Sequence, residues 1–148
     1  MQVQFRFLDK EEMPNMFPLL RKVNDYTETE ILKDRILSMA NHQDYRCIGI
    51  FMEDKMVGIC GLWHLTRHYS GKSLEPDHIY VETELQGKGI GKQLFQFLDN
   101  YAVENGYECL ELNTYTGNTK SHKLYYNLGF KILGFHFVKN LNSGRIHL

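Results

Sequence analysis

A glycine-rich turn between a strand and a helix constrains this chain more than any other stretch. The apolar run 79–81 is typical of a strand end, and residues 82–92 follow as Glu-Thr-Glu-Leu-Gln-Gly-Lys-Gly-Ile-Gly-Lys. Apolar residues then recur at helical spacing over residues 90–102. Glycine lets a backbone approach a ligand closely, and the first N–H groups of a helix are free to bind anions. We therefore predict a site for a phosphorylated ligand, where Lys88 and Lys92 add positive charge.

Length and composition restrict the class of protein. The 148 residues suffice for one domain with its own core, and we predict a single domain over residues 1–148. A net charge of −1 gives no general attraction to nucleic acid or to an anionic membrane, so neither is expected as a partner. No apolar run approaches a membrane span, and the N-terminal residues do not resemble a signal peptide. Three cysteines without metal-ligand spacing predict no metal site and fit a reducing, cytoplasmic compartment.

Apolar periodicity predicts an α/β domain with a mixed, mostly antiparallel sheet. Five strands are predicted, with two further strand-like runs near the C-terminus: residues 3–8, 46–52, 56–63, 74–81 and 109–112, then 130–133 and 135–141. Helices are predicted over residues 13–23, 31–39, 90–102 and 121–128, the second opened by a capping box at residues 27–30. Residues 53–55 predict a tight hairpin and residues 67–73 a polar loop. Glycines inside the predicted strands indicate bulges or close backbone approach, at Gly49, Gly58 and Gly61. Pro76 favours a strand beginning or a sheet edge.

Two familiar phosphate-binding motifs do not fit the glycine turn. A P-loop in register with the Gly-Lys pair 91–92 has Gln86 in place of its first glycine and Gln93 in place of the magnesium-binding Ser or Thr. The dinucleotide motif Gly-x-Gly-x-x-Gly fails in both registers, which lead to Lys92 and Leu94. The turn must therefore serve another ligand.

Two separated motifs resemble a known family. The pattern Gln86-x-x-Gly89-x-Gly91 resembles the acetyl-CoA motif of the GNAT superfamily of N-acetyltransferases. The later pattern Asn-x-x-Ser-x-x-Leu-Tyr-x-x-x-Gly-Phe over residues 118–130 resembles that family's Asn-x-x-Ala-x-x-Phe-Tyr-x-x-x-Gly-Phe signature. The element order matches as well. The resemblance implies the GNAT fold, with a mixed six- to seven-stranded sheet, about four flanking helices, and strands 4 and 5 splayed apart.

The resemblance implies acetyl-CoA as co-substrate. Its pantetheine arm would run beside Ile79 and Val81 of the fourth strand, and Asn118 would hydrogen-bond it, cap the next helix, or do both. A pyrophosphate suits a helix N-terminus and a run of free N–H donors. The residues that would bind it through backbone amides are Gln86, Gly87, Lys88, Gly89, Ile90, Gly91 and Lys92.

The catalytic residues also follow from the resemblance. Tyr125 matches a tyrosine near the thioester sulfur and would act as general acid toward the departing thiolate. An ammonium group must lose a proton before it attacks, and Asp77 or His78 on the fourth strand is the candidate base. The backbone N–H of Val81 would polarise the carbonyl. Weaker assignments are His64 and His68 as alternative bases, Glu82 and Glu84 as solvated charges, and Tyr126 as a packing residue.

The implied function is acetyl transfer from acetyl-CoA to a primary amine by direct attack in a ternary complex. The alternative is an acyl-CoA-binding sensor or interaction module without transfer activity. The acceptor, which the motifs do not identify, would bind between the first two helices, the 67–73 loop and the last two strands. Candidate lining residues are Tyr26, Trp63, Arg67, His68 and Tyr69. The assembly state is open, with a homodimer as one alternative.

Overall fold

A computed structural model describes residues 2–142 and residue 146. Five strands form one sheet whose spatial order follows the chain, from β1 to β5. The first four are antiparallel neighbours, and β5 joins β4 in parallel. The strand bounds are β1 Gln4–Phe7, β2 Tyr45–Met52, β3 Lys55–Arg67, β4 Gly71–Val81 and β5 Cys109–Leu110. The expected mixed, mostly antiparallel α/β architecture is therefore confirmed.

Helices connect and cover the sheet. The 3-10 helix Lys10–Met16 leads directly into α1 (Phe17–Val23), because Pro14 and Pro18 each lack a backbone donor and interrupt a regular helical ladder. The remaining helices are α2 (Thr29–Ala40), a short 3-10 turn (Thr83–Leu85), α3 (Ile90–Glu104) and α4 (Thr119–Asn127). Gly106, with φ of +74°, follows the end of α3 as a C-terminal glycine should. Among the described residues, no helix has the length and apolar character that a membrane crossing requires.

The two faces of the sheet bury different helices. On one face, the first 3-10 helix, α1 and α2 pack through Met16, Leu20 and Ile36 respectively onto side chains that include Tyr45 and Ile59. On the other face, α3 packs through apolar residues spaced along one side of the helix: Ile90, Leu94, Phe95 and Leu98. Alternate residues of a strand point to opposite faces, so the strands of this sheet contribute to both cores. We call these the α1/α2 face and the α3 face.

The strand β4, between β3 and β5, is irregular on both of its edges. Toward β3, Cys60 pairs with Ile79 but Leu62 pairs with Pro76, so the two β4 residues between them, Asp77 and His78, oppose the single residue Gly61. Toward β5, pairing is limited to Ser73 and Leu74, although β4 continues to Val81. The splay between strands 4 and 5 that the resemblance implied is therefore present.

Three expectations about local structure are wrong. Residues 130–140 form no strand, and their large side chains are mostly exposed, as at Phe137 (91%). Because β5 has only two residues, it offers a short edge for further pairing.

The capping box at residues 27–30 does not form: Glu28 is the N-cap, and the buried Thr27 hydroxyl has no partner among the described residues. The 67–73 loop is instead a tight turn, because β3 extends to Arg67 and β4 begins at Gly71. Pro76 lies in mid-strand, but on the edge that β5 has already left, so the expected sheet-edge position is confirmed.

The irregular pairing of β4 leads to a prediction at Gly61. A Cβ atom at this position would collide with the His78 imidazole, which is held by a hydrogen bond to Tyr45. We expect Gly61→Ala to lower the free energy of unfolding by about 1–3 kcal/mol, because the ring must shift from its place and from its hydrogen bond to Tyr45. Urea denaturation measures this. The matched control is Gly117→Ala, where a Cβ would meet no atom within 4 Å; equal stability of the two variants would contradict the packing argument.

Candidate active site

The glycine turn leaves the N-terminus of α3 without a side-chain cap. Gly87 and Gly89 have φ of +75° and +86°, the left-handed region that favours glycine, and Gly89 is the N-cap. The first intrahelical bond runs from the N–H of Gln93 to the Gly89 carbonyl, at 3.1 Å. The N–H groups of residues 90–92 are therefore outside the helical ladder, where an anion can bind them. The Gln86 side chain donates to the Val81 carbonyl at 2.8 Å and ties the turn to the end of β4.

The residues predicted to hold the donor arm lie on the α3 face of the sheet. Ile79 and Val81 of β4 and Tyr125 of α4 pack against the same apolar cluster. The Tyr125 ring contacts Phe95 and Phe130 edge-on, both at 5.8 Å between centroids. Burial raises the pKa of the Tyr125 phenol, so this group keeps its proton and is able to donate it.

Asn118 has the structural role that the sequence left open. Its side-chain oxygen accepts a hydrogen bond from the Ser121 N–H at 3.4 Å, which makes it the N-cap of α4. The residue is exposed, and its contact with a coenzyme stays a prediction.

The two candidate bases lie beside the α1/α2 core, and each is held by an aromatic side chain. The indole N–H of Trp63 donates to the Asp77 carboxylate at 3.1 Å. The Tyr45 hydroxyl and His78 Nε2 are 2.6 Å apart. Tyr45 and Trp63 are cross-strand partners whose rings contact each other at 5.0 Å, so they form one support beneath the bulge. Asp77 is exposed, whereas the His78 ring is largely enclosed.

Burial controls the protonation of this pair. Loss of solvent lowers the pKa of His78, and the Asp77 carboxylate opposes that shift only in part. Loss of solvent likewise raises the pKa of the Tyr45 phenol. At neutral pH the ring is therefore a neutral imidazole beside a neutral phenol. Its Nδ1 atom is buried and has no partner among the described residues.

The fold does not bring several other predicted site residues to Asp77 and His78. His64 bonds the Asp44 carbonyl at 3.0 Å and contacts Tyr107, away from Asp77 and His78. His68 and Tyr69 lie in the turn after β3 and contact each other, with the Tyr69 side chain 60% exposed. Tyr126 is also 60% exposed, so the expectation that it packs in the core is wrong.

Sequence reasoning missed three residues: Tyr45, which bonds His78, Glu75, which interacts with Asp77, and Glu111, which interacts with Glu75. Glu75 is two residues from Asp77 on one strand, and this spacing alone predicts side chains on a common face. The position of Tyr45 could have been predicted from the register of the β2–β3 hairpin, which sets Tyr45 opposite Trp63. Glu111 carries no comparable signal, because its approach to β4 depends on the parallel pairing of β5.

The buried imidazole leads to a prediction about pH. Because the pKa of His78 is lower in the folded chain than the ordinary value of 6.5, the unfolded chain binds more protons below that pH. Stability should therefore fall as the pH drops below about 6.5, by up to about 1.4 kcal/mol per pH unit from this residue. Unfolding titrations from pH 8 to pH 5 measure the slope. His78→Asn should flatten it relative to the wild type and to His68→Asn, which removes an exposed imidazole; an unchanged slope in His78→Asn would contradict the assignment.

Comparison with curated proteins finds two kinds of acetyl-transfer relatives. The chain is 30% identical over 76 residues to N-acetylaspartate synthetase from Homo sapiens, across 51% of this chain and 25% of that protein. It is 29% identical over 102 residues to streptothricin acetyltransferase from Escherichia coli, across 69% of this chain and 56% of that protein. The chain thus matches a quarter to about half of the length of these relatives.

Solved structures share the fold at low sequence identity. Ribosomal-protein-alanine N-acetyltransferase from Brucella melitensis biovar Abortus 2308 superposes with a TM-score of 0.81 at 22% identity, over 95% of this chain and all of that one. AAC(6')-Iy in complex with the bisubstrate analogue CoA-S-monomethyl-acetylneamine superposes with a TM-score of 0.80 at 14% identity, over 97% of this chain and all of that one.

A family model covers most of the chain. The model of the acetyltransferase (GNAT) family matches residues 8–130, a range that includes the glycine turn, β4, β5 and α4. The chain belongs to the GNAT acetyltransferase family.

Proposed function

We propose that this protein is an acetyl-CoA-dependent N-acetyltransferase that acts on a primary amine in a ternary complex. The observation that supports it most is the uncapped N-terminus of α3. It follows β4, and the edge of β4 that faces β5 is mostly unpaired. Family membership and the complex of AAC(6')-Iy with a coenzyme A analogue agree with this function. In this proposal the open edge of β4 receives the donor, and the α1/α2 face receives the acceptor.

The residues of the turn fit a pyrophosphate. The free N–H groups of residues 90–92 and the positive end of the α3 dipole favour an anion, and the exposed Lys88 and Lys92 side chains are close enough in sequence to add charge. Gln86, Gly87 and Gly89 complete the backbone of this cradle. Ile79 and Val81 would contact the pantetheine arm along the edge of β4 that β5 leaves unpaired, and Asn118 would bond it from α4.

Each chemical step has a residue of this chain to serve it. Acetyl-CoA supplies an acetyl group activated as a thioester. The exposed carboxylate of Asp77 would accept the proton that the ammonium group loses, with the neutral His78 beside it as the second candidate base. The amine nitrogen then bonds to the acetyl carbon while the carbon–sulfur bond breaks, and the Val81 N–H polarises the carbonyl. Tyr125 protonates the leaving thiolate, the new amide nitrogen releases its extra proton to solvent, and Tyr125 regains a proton from solvent.

Tyr125 and its neighbour give a matched pair of variants. Tyr125→Phe keeps the ring contacts with Phe95 and removes only the hydroxyl, so we expect kcat to fall about a hundredfold while acetyl-CoA binding changes little. Tyr126→Phe removes a hydroxyl from an exposed ring one residue away and should leave kcat unchanged. Thiol release with acetyl-CoA and a panel of amines measures kcat, and isothermal titration measures binding. An unaltered kcat in Tyr125→Phe would contradict its role as acid.

The same measurements separate the enzyme from a sensor. Binding of acetyl-CoA without thiol release on any amine would favour a coenzyme-binding module over a transferase. Absence of binding would overturn both functions.

A homodimer also stays a prediction. The apolar side chains exposed over residues 132–141 offer a surface on which a second copy would pack, and sedimentation equilibrium measures the assembly state.

A further inference from the structure

Two aromatic side chains hold the two candidate bases in chemically different ways. The Tyr45 hydroxyl oxygen lies 2.6 Å from His78 Nε2, and the Trp63 indole nitrogen lies 3.1 Å from Asp77 Oδ2. An indole nitrogen only donates, so Asp77 is the acceptor in its pair. A phenol both donates and accepts. The direction of the bond between Tyr45 and His78 therefore decides which imidazole nitrogen carries the proton.

The surroundings of the Tyr45 hydroxyl favour a bond in which the phenol donates to the imidazole. In the described structure its other partners are sulfur atoms, Met16 Sδ at 3.9 Å and the Cys47 thiol. Thioether and thiol sulfurs are weak acceptors, whereas an imidazole nitrogen at 2.6 Å from the oxygen is a strong one. The single phenol proton therefore lies between the Tyr45 oxygen and His78 Nε2.

The tautomer of His78 follows from that bond. A neutral imidazole carries one proton, so a ring that accepts at Nε2 has its proton on Nδ1. The Nδ1 atom is buried and has no partner among the described residues. A buried atom left unpaired is unfavourable whether it donates or accepts, so Nδ1 does not select the tautomer. The bond to Tyr45 selects it.

In this tautomer His78 has no nitrogen free to take a proton from a substrate. Nδ1 already carries a proton, and the lone pair of Nε2 accepts from Tyr45. A second proton would charge the ring, which burial opposes. The titratable groups that act on the pair are Cys47 of β2, Cys60 of β3 and Asp77 of β4, and burial keeps both thiols neutral. His78 is therefore suited to donate a hydrogen bond and not to act as a base.

Asp77 has the properties that His78 lacks. Its side chain is exposed, so a ligand can reach the carboxylate. The Trp63 indole bonds Oδ2 and orients the carboxylate without adding a charge. The Trp63 ring is itself held by two further rings, Tyr45 at 5.0 Å and His42 at 5.1 Å. A proton acceptor in a fixed orientation is what general-base catalysis requires.

We propose that Tyr45 fixes His78 in the Nδ1–H tautomer and that Asp77, oriented by Trp63, is the base of the reaction. This inference rests on the proposed acetyl transfer and assigns its proton acceptor. The Asp77 carboxylate takes one proton from the ammonium group of the acceptor, becomes a carboxylic acid, and returns that proton to solvent. Tyr45 and Trp63 are positioning residues, because each acts through the residue that it bonds.

Nuclear magnetic resonance measures the tautomer on the full chain. Nitrogen-15 spectra with couplings to the ring carbon protons show which imidazole nitrogen is protonated, and His78→Asn identifies the His78 signals. At about pH 8 we expect a protonated Nδ1 and an unprotonated Nε2. Tyr45→Phe removes the donor to Nε2 and should abolish this preference. A protonated Nε2 in the wild type would overturn the proposed tautomer.

A second tyrosine provides the matched control. Tyr107→Phe removes a hydroxyl from a ring that contacts a different histidine, His64, at 5.7 Å between centroids. This variant should leave the His78 signals as they are in the wild type. The wild-type spectrum decides the tautomer even where Tyr45→Phe does not fold.

The pH dependence of kcat/KM separates the two candidate bases. The free fraction of an alkyl amine with a pKa of about 10 rises about tenfold per pH unit, so a variant without the base recovers as the pH rises. The probe is the alkyl amine of the panel with the fastest thiol release. We expect Asp77→Asn to lower kcat/KM about a hundredfold at about pH 7, and the loss to shrink toward about pH 9. Trp63→Phe should show the same trend with a loss of about tenfold, because it removes one hydrogen bond to a carboxylate.

His78→Gln is the decisive comparison. We expect its loss of kcat/KM to be the same at every pH, since the residue supports the site without taking the proton. A His78→Gln loss that shrinks as the pH rises, or an Asp77→Asn loss that does not, would overturn Asp77 as the base. Thiol release with none of the amines would overturn the proposed function and the base with it, while the resonance spectra still decide the tautomer.

Discussion

The separation of β4 from β5 is the constraint on which the candidate site depends. The two strands are bonded only near Ser73 and Leu74, and the Glu111 N–H makes the last backbone bond. Beyond that point β4 keeps its pairing with β3 but has an unpaired edge on its other side. A strand with a free edge can receive an extended ligand through backbone hydrogen bonds. The fold supports this opening because α3 and α4 cover one face, and α1 and α2 the other.

The bulge in β4 gives the two faces different chemistry. On the α3 face, Ile79, Val81 and Tyr125 form a mostly apolar wall that ends at the uncapped N-terminus of α3. On the α1/α2 face, the extra residue opposite Gly61 brings Asp77 and His78 to neighbouring aromatic partners. In a regular strand, two consecutive residues would point to opposite faces. The bulge therefore allows an acid and an imidazole to share one side, and Gly61 provides the space for the ring.

Local sequence was sufficient where the physical cause is local. The Gly87 and Gly89 turn, the helix after it, the Asn118 cap and the hairpin after Met52 all have the predicted form. Each depends on a backbone conformation or a hydrogen bond within a few residues. Apolar runs failed as a guide over residues 130–141, because a strand requires a partner as well as suitable side chains. Thr27 failed as a cap because α2 begins one residue later, with Glu28 as its N-cap, and the buried Thr27 hydroxyl bonds no group among the described residues.

By itself, the sequence determined the part of the chain that we propose binds the donor: the glycine turn, its helix, and the spacing of Asn118 and Tyr125 that resembles the GNAT signature. These features lie in two continuous segments, so their residue types and order carry the information. Only the tertiary structure decided the arrangement around the candidate bases, where we propose that the acceptor binds. The arrangement of Tyr45, Glu75, Asp77 and Glu111 draws on β2, β4 and the residue after β5, and it depends on a register shift at Gly61 and on where β5 leaves β4. Pairing between distant strands sets both, and no local pattern in the chain specifies it.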